Sequence, residues 1–125
     1  MKKYLFGLFL LFAFAQSSAV FAEPAESKIE QHGTSKFLEI VGVSSKVTDN
    51  LLTIHLQIKN KDSNDNRGYY RVMWLDESGD PVWDDEPWKP LLLHGNQKVR
   101  LKMVAPTVKA RDFKIEFSAE ENYRE

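Results

Sequence analysis

No cysteine occurs among the 125 residues. That absence excludes a disulfide-stapled scaffold, a thiol nucleophile and any Cys-ligated zinc or iron–sulfur centre. It also removes the residue that a lipoprotein acylates, so no lipidation is expected. Internal repeats are missing, and no low-complexity run interrupts the folded part of the chain. A basic excess is missing as well. Residues 1–22 hold Lys2 and Lys3 and no acid, so beyond them 17 basic residues fall to 15 against 18 acids, a net charge of −3. Non-specific nucleic-acid binding needs a basic face that displaces counterions from phosphates, and a weakly acidic chain is a poor candidate for it.

What is present begins with an apolar leader. Met1-Lys2-Lys3 is a short positive start, and residues 4–22 carry no charge while holding six of the fifteen aromatics. Gln16-Ser17-Ser18 interrupts the apolar run, and Val20-Phe21-Ala22 then precedes the acidic Glu23. This is the layout of a bacterial secretory signal peptide cut between Ala22 and Glu23, with Ala19 as an earlier cleavage position. An uncleaved anchor is the rival reading, since nineteen uncharged residues are long enough to span a bilayer. The polar interruption and the Val-x-Ala site oppose it. The expectation is a periplasmic protein with no stable membrane anchor after cleavage.

Beyond the leader, 103 residues suffice for one domain with a modest core. Residues 23–35 (EPAESKIEQHGTS) hold one large apolar residue, Ile29, and read as a flexible tail. Residues 36–119 read as the folded domain and 120–125 as a C-terminal tail. Within the domain the hydrophobic period is two. Leu52, Ile54, Leu56 and Ile58 alternate with Thr53, His55, Gln57 and Lys59. Val99, Leu101 and Met103 alternate with Lys98, Arg100 and Lys102, and Phe113-Lys114-Ile115-Glu116-Phe117 repeats the pattern. Such alternation marks strands with one buried and one wet face. Further strands are expected over Phe37–Val43, Tyr69–Leu75 and Leu91–Leu93, and a short one over Pro81-Val82-Trp83. Trp74 shares a strand face with Tyr70 and Val72, which places it in the core.

Asp76-Glu77-Ser78-Gly79-Asp80 suits a hairpin turn with Gly79 at positive φ. Lys61 to Gly68 is a polar turn cluster. Six to seven short strands separated by turns, with no helical period, specify an antiparallel immunoglobulin-like β-sandwich. A five-stranded barrel is the alternative.

Several of these residues carry a family resemblance across about Lys36 to Ser118. An Asn-containing loop (Asn64, Asn66) leads into the aromatic strand Tyr69-Tyr70-Arg71-Val72-Met73-Trp74-Leu75-Asp76. Gly79, Trp88, an apolar segment to Gly95, Val104-Ala105-Pro106 and a Phe113-x-Ile115 strand follow. The pattern resembles the YcfL-like family of small bacterial envelope proteins. The resemblance implies an exported immunoglobulin-like sandwich with no assigned enzymatic activity, and it carries over no catalytic residues. The chain departs from the many lipoprotein-like members in lacking the acylated cysteine.

Candidate chemistry is thin. Asp62 to Gly68 has oxygen side chains like a calcium loop, but Arg67 and Met73 stand where an EF-hand needs Gly and Glu. An Asx-rich hairpin loop is the simpler reading. His32, His55 and His94 show no pair at ligand spacing, so no metal or cofactor is expected. The acids at Asp76–Asp80 and Asp84–Glu86 read as solvated, and no nucleophile or phosphate-loop motif occurs, so no enzyme is expected. Trp83-Asp84-Asp85-Glu86-Pro87-Trp88 is the most unusual stretch. Indoles are enriched at binding hot spots, and three acids would favour a basic partner. The competing reading closes one end of the sandwich with the indoles. Trp83, Asp84, Asp85, Glu86 and Trp88 are therefore the candidate contact residues of a non-catalytic periplasmic accessory protein whose partner is another envelope protein. A sheet edge is a second contact surface, and a small-ligand or metal-ion carrier is the alternative function.

Overall fold

The computed structural model describes residues 28–123. The expected leader and the expected cleavage between Ala22 and Glu23 lie outside the described residues. Seven strands are formed: β1 (Ile29–Gln31), β2 (Leu38–Thr48), β3 (Leu51–Asn60), β4 (Asn66–Leu75), β5 (Lys89–Leu93), β6 (Lys98–Val104) and β7 (Asp112–Ala119). A 3-10 turn, Glu120–Tyr123, follows, where a C-terminal tail is expected. Among the described residues no helix is long and apolar enough to cross a membrane.

The strands make a two-layer sandwich, with sheet order β1-β7-β4-β5 facing β2-β3-β6. If β2, β3 and β6 are strands A, B and E of an immunoglobulin domain, then β4 and β7 are C and F. The G position beside F is then taken by β1. Because β1 arrives from the opposite end of the chain it runs parallel to β7, pairing Ile29 with Ile115 and Gln31 with Phe117. The sandwich is thus antiparallel except at this pair.

The pairing also corrects the tail. Residues 29–31 are strand, and His32 N donates to Phe117 O at 2.8 Å. The segment has too little apolar surface to order itself. It is ordered by backbone hydrogen bonds to an edge that would otherwise be bare, with Ile29 packed against the core.

The core is made of the alternate residues of each strand. Leu52, Ile54, Leu56 and Ile58 of β3 meet Val72 and Trp74 of β4, Leu91 and Leu93 of β5, and Phe113, Ile115 and Phe117 of β7. Trp74 is only 2% exposed. At one pole the buried Asn60 binds the ends together: its amide donates to the carbonyls of Asn64, Leu93 and His94. Its Oδ1 accepts from Asp62 N and Asn66 Nδ2. The Asp62–Gly68 segment is therefore Asx-bonded as expected, but it is not a hairpin loop: it crosses from β3 in one sheet to β4 in the other. Asp62 also accepts from Asn66, and that hydrogen bond holds its carboxyl below the usual range.

Pro81–Trp83 does not form the expected strand. The Asp76–Asp80 turn closes with Gly79 at φ 90°, but beyond it a single bridge joins Leu75 to Pro81, and Val82 N donates to Trp74 O. Pro81 has no N–H to extend a ladder, and β5 takes over pairing with β4 only from Lys89 onward.

Candidate functional site

The 81–88 loop runs along a stretch of β4 that has no strand neighbour on that side. Residues 66–70 of β4 pair with β5; beyond Tyr70 this edge is left for the loop. Glu86 fills it. One carboxylate oxygen accepts from Val72 N at 3.3 Å and the other from the Trp74 indole N–H at 3.0 Å. The side chain thus stands in for the carbonyl of a missing strand, and it also gives the buried indole N–H an acceptor. Lys89 lies 3.7 Å from the same carboxylate.

Trp88 is anchored too. Continuing the Tyr70–Lys89 pairing by one residue sets Trp88 opposite Arg71 on the outer face of the four-stranded sheet. The guanidinium lies 4.6 Å from the indole centroid, within cation–π range. Arg71 is in register with Glu116, and Glu116 with Glu30. Arg71 Nε donates to Glu116 Oε2 at 2.7 Å, and His32 Nε2 lies 2.9 Å from Glu116 Oε1. The His32 ring meets Trp88 edge-on at 5.7 Å. Glu116 is thereby buried on what is nominally the wet face, at 6% exposure. Burial pushes its pKa up, but the hydrogen bonds from Arg71 and His32 outweigh burial and hold it below the ordinary glutamate value. Glu30, His32 and Glu116 also present ligand-type atoms within 4.8 Å of one another. Arg71 is bonded to the same Glu116 carboxylate and opposes a cation there.

Trp83, Asp84 and Asp85 behave differently. All three are exposed, with the Trp83 indole half in solvent at 50%. A shallow depression between Trp83, Pro81, Val82 and Lys109 lies at the loop tip.

A family model described as a protein of unknown function (DUF1425) matches residues 25–119. The chain belongs to the DUF1425 family. A crystal structure of a DUF1425 family member from Shewanella sp. pv-4 is 26% identical, covering 64% of this chain and 75% of its own, with a TM-score of 0.59. The crystal structure of Campylobacter jejuni cj0090 is 20% identical, covering 74% of this chain and 97% of its own, with a TM-score of 0.65. At that identity the likeness to cj0090 is one of fold. None of the curated proteins matches the chain.

In this DUF1425 member the five residues singled out in sequence do not form one surface. Glu86 reaches the edge of β4 and Trp88 packs on Arg71 over the outer face of the sheet, while Trp83, Asp84 and Asp85, which precede them in the loop, stay exposed. Reading all three acids as solvated is therefore wrong for Glu86. Its engagement was hidden because β4 had no visible reason to need an acceptor from the loop. Arg71 and Glu116 carry no site signal in sequence, and His32 has no partner at ligand spacing there. Glu116 sits at a wet position of an alternating strand, and His32 fell in the presumed tail. Only the β1–β7 pairing brings them together.

Proposed function

We propose that this DUF1425 protein is a non-catalytic periplasmic accessory protein of the YcfL-like envelope type, acting through protein–protein contact at the Trp83–Asp85 tip. The observation that supports it is a loop anchored at Glu86 and Trp88 that nonetheless leaves an indole half exposed beside two carboxylates. A loop serving only to close the sandwich would bury that indole. Restraining the loop beforehand lowers the ordering cost of binding. The exposed carboxylates favour a partner with a basic patch. A non-catalytic role fits Glu116, the most buried carboxylate among the described residues, whose oxygens are both occupied by Arg71 and His32.

The test pairs a crosslinker at Trp83 in living cells with melting curves on the same variants. Asp84→Asn/Asp85→Asn should hold stability within about 0.5 kcal/mol while lowering crosslinking to an envelope protein. Wild-type capture should weaken with salt, because exposed charges are screened beyond roughly 8–10 Å. Undiminished crosslinking by this variant and by Trp83→Ala would remove the tip from the function.

A metal-ion carrier is the second reading, favoured by the Glu30, His32 and Glu116 grouping. Zinc binding that is lost in His32→Ala but kept in Trp83→Ala would move the function there.

A further inference from the structure

The outer face of the three-stranded sheet collects cations. The register sets Lys102 beside His55 and Ser44, Arg100 beside Gln57 and Gly42, and Lys98 beside Lys59 and Glu39. Lys46 and Val104 flank Thr53 in the next row. Five cations, Lys46, Lys59, Lys98, Arg100 and Lys102, thus share one face with a single acid, Glu39. All five are exposed, and among the described residues none is in an ion pair; those pairs involve Lys28, His32, Arg71, Lys89 and His94 instead. In a chain that is net acidic beyond its leader, this is a marked segregation of charge.

Lysines on an edge strand are a known guard against edge-to-edge pairing, and β6 is an edge. That accounts poorly for Lys59, which stands on the central strand β3. The arrangement is also two-dimensional: alternate residues of a strand lie about 7 Å apart and neighbouring strands about 4.8 Å apart, so the cations form an array about 20 Å long and 10 Å wide rather than a pocket. An array suits an extended anionic surface better than a discrete ion. Val104, 48% exposed at one end of the face, adds an apolar contact.

We propose that this face docks peripherally on an anionic membrane surface, through phosphate-bearing lipid headgroups. The face lies on the sheet opposite the one carrying Arg71, Glu116 and Trp88, so the proposal stands apart from the Trp83–Asp85 contact and leaves that tip available to a protein partner.

Co-sedimentation of the protein as purified from producing cells, with its amino terminus identified by mass spectrometry, tests this. The probes are vesicles of phosphatidylcholine alone and vesicles with phosphatidylglycerol added. Binding should depend on phosphatidylglycerol and fall steeply between about 0.1 M and 1 M salt, as the screening length drops from about 10 to 3 Å. Each cation at an anionic surface is worth about fivefold in affinity, so Lys98→Gln/Arg100→Gln/Lys102→Gln should weaken binding on the order of 100-fold. A control that removes as many charges elsewhere, Lys36→Gln/Lys61→Gln/Arg67→Gln, should lose far less. Both variants should keep the wild-type circular dichroism spectrum, and single substitutions on the face replace any triple variant that does not. Binding indifferent to phosphatidylglycerol, or an equal loss in the control, would overturn the proposal. So would retention on duplex DNA or on polyglutamate at a salt concentration where the vesicles no longer bind.

Discussion

Glu86 is where the tertiary structure makes its sharpest demand on a single side chain. Its carboxylate receives the Trp74 indole N–H and the Val72 backbone N–H, at 3.0 and 3.3 Å. Trp74 is 2% exposed, so its donor cannot turn to bulk water without moving the loop. Glu86→Ala removes both acceptors at once. A buried donor left unsatisfied costs about 1–3 kcal/mol. Water entering the vacated space would relieve part of this, since Glu86 lies at the loop boundary with its side chain 17% exposed. The expected total is about 2–4 kcal/mol, a large share of the roughly 5–15 kcal/mol available to a domain. At about 4–8 °C per kcal/mol for a domain of this size, melting should fall by about 8–32 °C. Glu86→Gln keeps one acceptor oxygen but turns an amide N–H toward the other donor, and should recover about half the loss. Thermal melts give the magnitude, and hydrogen exchange of the Trp74 indole proton gives the cause: its protection should collapse in Glu86→Ala. An alanine variant that melts like wild type and keeps that protection would show that Glu86 is an ordinary surface acid and that the loop is not anchored through it.

Trp74→Ala should cost about 3–5 kcal/mol through the cavity it leaves, and an unchanged melting temperature would place the indole outside the core. Glu116 titrates below its unfolded value, so its ionised form stabilises the fold: the contribution is complete above a free glutamate's pKa of about 4.3 and disappears as pH falls through the lower folded value. Glu116→Gln should flatten that part of the stability–pH curve, and an identical acid limb in both proteins would refute the assignment. His55 titrates below its ordinary value through burial and then through Arg100, Lys102 and Lys46, so Lys102→Gln should raise its pKa as followed by NMR; a fall would contradict the register that places them side by side. A Cβ at Gly95 would lie 2.0 Å from the Ser63 carbonyl oxygen. Gly95→Ala should therefore destabilise by about 1–3 kcal/mol in urea unfolding, unless the two turns are not packed together.

Alternation alone identified the faces of β3, β6 and β7, because a strand's side chains point to opposite sides whatever the strand is paired with. Leu52, Ile54, Leu56 and Ile58 could face nothing but a core once Lys59 and Gln57 faced water. The turn at Gly79 was legible for a similar reason, since positive φ is a local property of the residue. The all-β sandwich follows from these local facts together. Partnership between strands is not local. Nothing in EPAESKIEQHGTS distinguishes a free tail from a strand, because the order of β1 comes from the backbone edge of β7, more than eighty residues away. The same pairing turns Glu116 from a solvated acid into a buried one, by bringing His32 over it and setting Arg71 beside it. Register decides the rest. Lys98, Arg100 and Lys102 share a face by their own alternation, but only the hydrogen-bond ladder between β3, β6 and β2 sets them beside Lys59, His55 and Lys46. Likewise Trp83 and Glu86, three residues apart, part company because the bare edge of β4 supplies donors for one carboxylate and leaves the indole in solvent. Composition and spacing determine which residues can be buried, and tertiary pairing determines which polar groups are buried with them.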